Sequence, residues 1–159
     1  MNLYIYAVGK LSESWWRDAA AEYMKRCGRW CRMTMTELPE SRLPKSPTPG
    51  DIAKAVSEEG AAMLAKLPEK AYVIGLFIDG KQMSSEQLAK IFDTAMSAGK
   101  SDIVFLIGGS HGMSREVENA CDLTLSFSRM TFPHQLARVM LCEQIYRAFT
   151  ILGRQEYHK

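Results

Sequence analysis

The amino-acid sequence predicts an α/β fold, in which helices on both faces cover a mostly parallel sheet. Strand-like and helix-like segments alternate along all 159 residues, and two of the strands, 72–78 and 103–107, are almost wholly apolar. Strands that are apolar on both sides belong in parallel sheets covered by helices on both faces. The length suits one domain with a sizeable core, so we expect a single domain over residues 1–159.

The first segments already alternate between the two patterns. Residues 3–8 form an apolar run typical of a strand, and residues 16–27 carry apolar side chains at helical spacing. Gly28 is a suitable end for that helix. Residues 33–38 predict a second, weaker strand. The stretch 39–50 contains four prolines, so we interpret it as a surface loop within the domain.

The middle of the chain continues the alternation. Asp51 is a candidate N-cap for a helix that continues to about residue 67. The apolar strand 72–78 follows it. Ser84 and Gln87 have the spacing of a capping box, which predicts that a third helix begins there and ends near residue 96.

The last third of the chain ends in an unusual helix. The strand 103–107 is followed by a short helix after Ser114 and a short strand over residues 123–126. The final helix begins near Pro133 and continues to about residue 152, with apolar side chains on nearly every side. Such a helix must be buried on several sides, and either a homodimer interface or a central position in a monomer provides this. We expect the homodimer.

Composition and charge exclude several classes of protein. Apolar residues make up 47% of the chain and charged residues 24%, which is typical of a globular protein, and no apolar run is long enough to cross a membrane. The net charge of +2 argues against a protein that holds nucleic acid by charge alone. Residues 127–159 carry a net charge of +3 and are the candidate polyanion-facing part, with ordinary surface scatter as the alternative. Their basic residues are Arg129, Arg138, Arg147, Arg154 and Lys159.

The four cysteines indicate neither a metal site nor a disulfide framework. Cys27 and Cys31 are four residues apart, and no histidine lies close to a cysteine pair. A zinc site needs a second pair of ligands nearby, so we expect no metal. Buried, reduced thiols agree with a cytoplasmic protein, and the opening residues do not have the pattern of a signal peptide.

Two glycine-containing segments have the spacing of ligand loops. Residues 75–81 match a phosphate-binding loop in spacing, but the residues between the glycines are mostly apolar and strand-forming, so we reject that motif. Gly108, Gly109 and Gly112 directly follow the strand 103–107. Because α/β proteins bind ligands at the carboxyl ends of parallel strands, we favour a ligand loop here over a simple tight turn.

The segment before the last helix is a second candidate binding element. Phe127, Met130 and Phe132 are suited to enclosing an aromatic ligand, and the backbone of this loop is suited to a base edge. The alternative is a hydrophobic loop that fills the core. On the last helix, Glu143 and Arg147 lie four residues apart on one polar arc. The pair is either an ordinary helix salt bridge or, on so apolar a helix, a functional one.

The tail, residues 153–159, combines an aromatic ring, an imidazole and two cations. Chain ends usually fray, which is the simplest interpretation. An aromatic ring beside basic groups is also typical of RNA contacts, so the tail is a candidate substrate-binding segment.

In this order, these segments resemble the SPOUT-class methyltransferases and, within that class, the RlmH family. The resemblance covers essentially the whole chain, and its order and length make it specific. It is carried by residues 7–10, Glu22-Tyr23, Ile107-Gly108-Gly109 with Gly112, Leu125-Ser126, Thr131-Phe132-Pro133-His134, residues 143–148 and Tyr157-His158-Lys159.

The resemblance implies a particular fold and assembly. SPOUT proteins tie the C-terminal part of their α/β sheet into a trefoil knot, which would here involve residues of about 103–152 and leave 153–159 as a tail. Because knots are nearly absent elsewhere, general topology rules do not predict one. SPOUT proteins are also homodimers whose knotted helices form the interface, in agreement with the apolar last helix.

The resemblance also implies an activity and a binding site. RlmH-type enzymes transfer a methyl group from S-adenosylmethionine (SAM) to N3 of a pseudouridine in helix 69 of 23S rRNA, and they act on the assembled 70S ribosome. No metal is required, because the sulfonium already makes the methyl group electrophilic. Carried over by position, the SAM-binding residues are Leu76, Gly108, Phe127, Ser128, Arg129, Met130, Thr131 and Phe132.

The implied catalytic residues are Glu143, Arg147, Tyr157 and His158. Glu143 or His158 would take the N3 proton, and Arg147 would stabilise the uridine anion. Tyr157 and His158 resemble the substrate-contacting end of the family and are expected to reach the site of the opposite subunit. The alternatives are a SPOUT methyltransferase for another RNA such as tRNA, and a non-catalytic SAM-binding, ribosome-associated protein. A nicotinamide-dependent oxidoreductase is more distant, because its fingerprint is missing.

Overall fold

The computed structural model describes residues 1–158, which form five strands and five helices. The strands are β1 (Asn2–Val8), β2 (Arg32–Leu38), β3 (Tyr72–Gln82), β4 (Asp102–Ile107) and β5 (Leu123–Ser126). The helices are α1 (Ser14–Cys27), α2 (Pro49–Leu64), α3 (Ser85–Ser97), α4 (Arg115–Asn119) and α5 (His134–Leu152). Every element predicted from the sequence is present in the predicted order. Lys159, which belongs to the basic tail, lies outside the described residues.

All five strands join one parallel sheet in the order β2-β1-β4-β3-β5. The predicted α/β fold with a parallel sheet is therefore confirmed. The carboxyl ends of β1 and β4 lie beside Leu76 of β3 at one edge, where Ile107 pairs with Ala7 on one side and with Leu76 on the other. The glycine loop that follows Ile107 consequently begins in the middle of this edge.

Side chains of the central strands alternate between two apolar layers. In β4, Ile103, Phe105 and Ile107 pack in the layer of α1, α3 and α5. Val104 and Leu106 face the opposite layer, which contains residues of α2 and α4. Both faces of the strand are therefore buried, which explains why its sequence is apolar throughout.

The start of α2 corrects one sequence prediction. Thr48, not Asp51, is the N-cap: the Asp51 N–H donates to Thr48 Oγ1 at 3.2 Å, and Asp51 Oδ2 accepts from the Thr48 N–H at 2.8 Å. Asp51 is thus the third helical residue of a capping box, and the predicted surface loop ends before residue 49. The capping box of α3, between Ser84 and Gln87, is confirmed.

The strand β3 extends further than predicted. It continues beyond residue 78 to Gln82, and its ladder with β5 is interrupted between Leu76 and Lys81. Both of these residues are paired with Leu125, so residues 77–80 leave the ladder and return to it. At the return, a Cβ on Gly80 would lie 2.7 Å from the Leu125 carbonyl carbon, which only glycine avoids.

The knot and the homodimer stay predictions, because neither follows from the strand pairing within one chain. The segment in question runs from β4 through β5 to α5, and α5 packs in the same layer as α1 and α3. Within residues 1–158, no helix is both long and apolar enough to cross a membrane.

Phe92 lies between the sheet and α5 and should contribute strongly to stability. Its ring is fully buried, with centroid distances of 6.1 Å to Phe105 and 5.6 Å to Phe149. Truncation in Phe92→Ala leaves a cavity, so we expect the free energy of unfolding in urea to fall by about 3–5 kcal/mol. Met96→Ala on the same helix, where the side chain is 39% exposed, should cost less than about 1 kcal/mol. Equal losses for the two variants would contradict this packing.

Candidate active site

A cavity of about 800 Å³ opens at the carboxyl edge of the sheet. Its walls come from residues 76–78 at the bend in β3, the loop 107–113 after β4, and the segment 125–137 that links β5 to α5. Its volume lies in the range of small-molecule sites. The sheet therefore brings the glycine loop and the segment before α5 together as one candidate binding site.

Most of the residues predicted to bind a cofactor line this cavity. Seven of the eight do so: Leu76, Gly108, Phe127, Ser128, Met130, Thr131 and Phe132. Arg129 belongs to the same segment but is not one of the lining residues. The geometry brings the predicted residues together, and their role in binding stays a prediction.

The glycine loop presents its backbone to the cavity. The Gly112 N–H donates to the Gly109 carbonyl at 3.1 Å, which closes the loop. A Cβ on Gly108 would lie 2.5 Å from the Gly112 carbonyl oxygen, so this close approach requires glycine. Backbone groups rather than side chains therefore form this part of the wall.

Serine hydroxyls tie the opposite wall to β3. Ser126 Oγ lies 2.8 Å from the Ile78 carbonyl oxygen and 3.0 Å from that of Ser128. Ser128 Oγ in turn accepts from the Met130 N–H at 3.0 Å. At the mouth of the cavity, Met130 is 70% exposed and Ile78 is 51% exposed. Exposed apolar side chains at the rim of a cleft are typical of binding surfaces.

The cavity lining is free of fixed charge. None of its lining residues, all within the described chain, is Lys, Arg, Asp or Glu. His134 is the titratable lining side chain, and burial together with the Arg138 guanidinium lowers its pKa. The imidazole is therefore neutral at neutral pH, and a ligand that carries a positive charge meets no like charge in this wall.

Arg138 anchors the first turns of α5. It is fully buried, its Nη2 donates to the Val8 carbonyl at 2.5 Å, and its Nη1 lies 3.6 Å from Glu37 Oε1. Burial lowers the pKa of Arg138, and Glu37 opposes that shift. By its position in the sequence, Arg138 was assigned to the candidate polyanion-facing part of the chain. That assignment was wrong, because α5 docks this side chain against the ends of β1 and β2.

The four predicted catalytic side chains form one cluster beside this cavity. Glu143 Oε1 accepts from Arg147 Nη2 at 2.6 Å and Nε at 3.0 Å, and from the Tyr157 hydroxyl at 3.2 Å. The Arg147 guanidinium lies 4.8 Å from the centroid of the Tyr157 ring. Its Nη1 is 3.5 Å from His158 Nδ1. The tail therefore folds back onto α5 of its own chain, and a contact with an opposite subunit stays a prediction.

Two further residues, which sequence reasoning missed, complete the cluster. His158 Nε2 lies 2.6 Å from Glu86 Oε1 at the start of α3. Gln144 Nε2 donates to Glu143 Oε2 at 2.8 Å. Glu86 has no signal in the sequence, since it is an ordinary first-turn acid and lies 72 residues from its partner. Gln144 lies within residues 143–148, one of the segments that carry the resemblance, but was given no role. Thr150, one turn after Arg147 on α5, is buried, and its hydroxyl donates to the Arg147 carbonyl.

Contacts within the cluster raise the pKa of two of its members, Arg147 and Tyr157. The carboxylate of Glu143 raises the pKa of Arg147. Burial, a hydrogen bond with Tyr23 and the nearby Glu143 carboxylate raise the pKa of Tyr157 to about 12. At neutral pH the cluster therefore presents a guanidinium cation and a protonated phenol, which are both hydrogen-bond donors.

A second cavity, of about 640 Å³, connects the cluster to the first. Glu143, Gln144 and Glu86 contribute to its lining. Residues 125–127 line both cavities, so the two share a wall. Within residues 1–158, no three His, Cys, Asp or Glu side chains are grouped so as to hold a metal ion.

The fold and site define a parallel α/β protein with an open cavity at the carboxyl edge of the sheet, next to a charged cluster. Residues 1–158 match the family model described as "Predicted SPOUT methyltransferase". The chain therefore belongs to the SPOUT methyltransferase family, and it is a methyltransferase of that class.

Solved structures share this fold at low sequence identity. A protein from Haemophilus influenzae Rd KW20, described as a methylase family protein, matches 99% of this chain and 70% of its own, with 16% identity and a TM-score of 0.51. A protein of the same description from Neisseria gonorrhoeae matches 98% of this chain and 93% of its own, with 13% identity and a TM-score of 0.51. At these identities the likeness concerns the fold alone.

Glu86 should hold the tail in its folded position through His158. In Glu86→Gln the side chain keeps its size but loses the charge that strengthens its hydrogen bond with the imidazole. We expect carboxypeptidase to trim the C-terminus at least about threefold faster at pH 7 than in the wild type. An unchanged trimming rate would show that the tail is held by its other contacts.

Glu116→Gln is the matched control. Glu116 occupies the same position after the N-cap of α4, where the Ser114 hydroxyl and the backbone lower its pKa. For Glu86, the Ser84 hydroxyl, the backbone and His158 lower the pKa from 4.5 to about 2. The stabilisation of the folded tail by the Glu86 carboxylate is therefore present above about pH 4.5 and is lost as the pH falls through about 2. As the pH falls over that interval, the NMR line widths of the His158 ring in the wild type should approach those in Glu86→Gln.

Proposed function

We propose that this protein transfers a methyl group from SAM to N3 of a pseudouridine in helix 69 of 23S rRNA, and that it acts on the assembled 70S ribosome as RlmH-family enzymes do. Membership of the SPOUT family supports methyl transfer. The observation that carries the proposal further is the pairing of an uncharged cavity with the cluster of Glu143, Arg147, Tyr157 and His158 across a shared wall.

The first cavity suits SAM in shape and in charge. Leu76, Phe127 and Phe132 supply apolar surface for the adenine ring, and the exposed backbone of the glycine loop supplies hydrogen bonds for its edge. The lining contains no cation that would repel the sulfonium. When bound, SAM supplies an electrophilic methyl group. The chain itself must then position the acceptor nitrogen in line with that group and remove its proton.

The hydrogen bonds of the cluster favour different roles for its two candidate bases. The Glu143 carboxylate already accepts four hydrogen bonds, two of them from Arg147, so it is better suited to positioning Arg147 than to taking a proton. His158 holds Nε2 against Glu86. If Nε2 carries the hydrogen, Nδ1 keeps a lone pair and is the proton acceptor for N3. Arg147 stabilises the resulting anion.

Assembly and location belong to the same proposal. We infer a cytoplasmic homodimer with α5 at its interface, because α5 carries apolar side chains around nearly its whole circumference. In that assembly Tyr157 and His158 would contact substrate at the site of the partner subunit.

The direct test is methyl transfer from labelled SAM to ribosomes that lack the modification. Assembled ribosomes, isolated large subunits and tRNA are compared, and the methylated nucleoside is identified by mass spectrometry after digestion. We expect a methylated pseudouridine chiefly from assembled ribosomes. Transfer to tRNA instead would favour the alternative RNA substrate. SAM binding without transfer to any of these RNAs would favour a non-catalytic ribosome-associated protein.

Variants of the cluster should lower turnover without weakening SAM binding. Arg147→Lys keeps a cation but loses the two-pronged contact with Glu143, so we expect kcat to fall by about 10² or less, with a SAM Kd within about twofold of wild type. Tyr157→Ala should also lower kcat and leave the Kd unchanged. Isothermal titration calorimetry measures the Kd, and single-turnover assays measure transfer.

Arg154→Lys is the control for these variants. Arg154 is exposed and lies in the turn that follows α5, so its replacement should change neither quantity. A large loss of SAM binding in Arg147→Lys or Tyr157→Ala would show that these side chains support the cofactor cavity rather than the acceptor.

A further inference from the structure

A third cavity, of about 490 Å³, lies along the outer side of α3. Its floor includes the apolar side chains of Tyr72 and Ile91. Three lysines contribute to its lining, and we call it the lysine groove: Lys81 from β3, Lys90 from α3 and Lys100 from the turn before β4. Tyr72, Met83 and Ile91 of its lining pack at the edge of the layer of α1, α3 and α5. None of the three lysines lines the cofactor cavity, so that cavity does not account for them.

The lysine groove carries an excess of positive charge. Asp122 is its acidic lining residue, and one of its carboxylate oxygens already accepts from the Val73 N–H at 2.8 Å. Lys100 is held in place by donating to the Lys70 carbonyl at 2.9 Å. Among residues 1–158, none of the ion pairs closer than 4 Å involves the three lysines. The ammonium groups of Lys81 and Lys90 are therefore available to an anionic partner, and Lys100 keeps the N–H donors that do not point to Lys70.

The lysine groove adjoins the second cavity. Met83 lines both the groove and the second cavity, and that cavity also contains Glu86 and Glu143. A polymer whose reacting base lies at the cluster would therefore have its neighbouring units near the groove. The whole chain carries a net charge of only +2, so a local concentration of cations decides where a polyanion lies.

We propose that the lysine groove binds backbone phosphates of the RNA strand that carries the target nucleotide. The inference rests on the proposed function, because it extends the acceptor side of that site. Lysine ammonium groups act as point charges at the end of flexible side chains. Such charges are better suited to phosphates than to the fixed two-pronged geometry of a carboxylate contact. Contacts of this kind position the strand and contribute affinity, while the base is selected at the cluster.

Salt dependence tests the proposal quantitatively. Each phosphate contact contributes roughly 0.7 to 0.9 to the slope of log affinity against log salt. We expect Lys81→Gln/Lys90→Gln to lower that slope by about 1.5 for ribosomes. Between 50 and 200 mM KCl, the KM of the wild type should therefore rise about tenfold more than the KM of the variant. The Kd for SAM and the kcat at saturating ribosomes should stay unchanged.

Lys45→Gln/Lys54→Gln removes the same charge elsewhere and is the matched control. Lys45 lies in the Pro-rich loop, and Lys54 lies on α2 on the other side of the sheet. The KM of this double variant for ribosomes should match that of the wild type, and so should the slope of its log affinity against log salt. Equal slopes for both double variants and the wild type would overturn the inference.

Crosslinking separates RNA from an acidic protein as the occupant. Thr94 lies in the groove, and its hydroxyl is directed to the Lys90 carbonyl. A photoreactive phenylalanine at this position should crosslink to 23S rRNA in ribosomes. Crosslinks to ribosomal protein alone would contradict the inference and leave methyl transfer intact. Failure of the wild type to methylate ribosomes would instead overturn the proposed function, and this inference with it.

Discussion

The docking of α5 onto the carboxyl ends of β1 and β2 is the constraint on which both halves of the site depend. Arg138 joins the Val8 carbonyl and the Glu37 carboxylate, one from each strand end. Within the described chain its Nε and Nη1 have no hydrogen-bond partner, so burying this guanidinium carries a cost in free energy. Apolar packing of α5 against the α1 and α3 layer offsets that cost. The position at which α5 begins then fixes the cavity wall formed by residues 133–137. It also fixes the positions of Glu143 and Arg147, which lie between one and three helical turns further along α5.

A layer of aromatic rings supports the charged cluster from the core side. The Tyr146 ring lies 4.8 Å from Tyr157, 5.8 Å from Trp30 and 6.1 Å from Tyr23, measured between ring centroids. Trp30 also stacks on Phe149 at 5.8 Å. The tail is therefore held by apolar packing as well as by hydrogen bonds. The Glu143 and Arg147 side chains are only 18% and 25% exposed, so their attraction is screened less than that of a surface pair.

Local patterns in the sequence predicted the sheet and its helices, while contacts distant in sequence were beyond them. Apolar runs and capping spacings are local, and they identified every strand and helix. The N-cap of α2 was wrongly assigned to Asp51. Thr48 and Asp51 have the spacing of a capping box, but either residue is also a suitable N-cap, so the sequence was compatible with a helix that begins after Thr48 or after Asp51. Arg138 was misjudged because its carbonyl partner lies 130 residues away. The same limit hid Glu86, and no periodicity encodes a knot or a dimer.

The distribution of charge separates the two halves of the proposed reaction. The cofactor cavity is uncharged, so it gives a sulfonium no electrostatic advantage over the neutral thioether that remains after transfer. Its walls must therefore recognise the adenosine part, which both molecules share. In the proposed reaction the charged groups lie instead on the acceptor side, where Arg147 and the lysine groove would face an anionic substrate. Loss of the positive charge on sulfur then coincides with loss of the negative charge on N3, and the reaction needs no change in the charge of the protein beyond one proton.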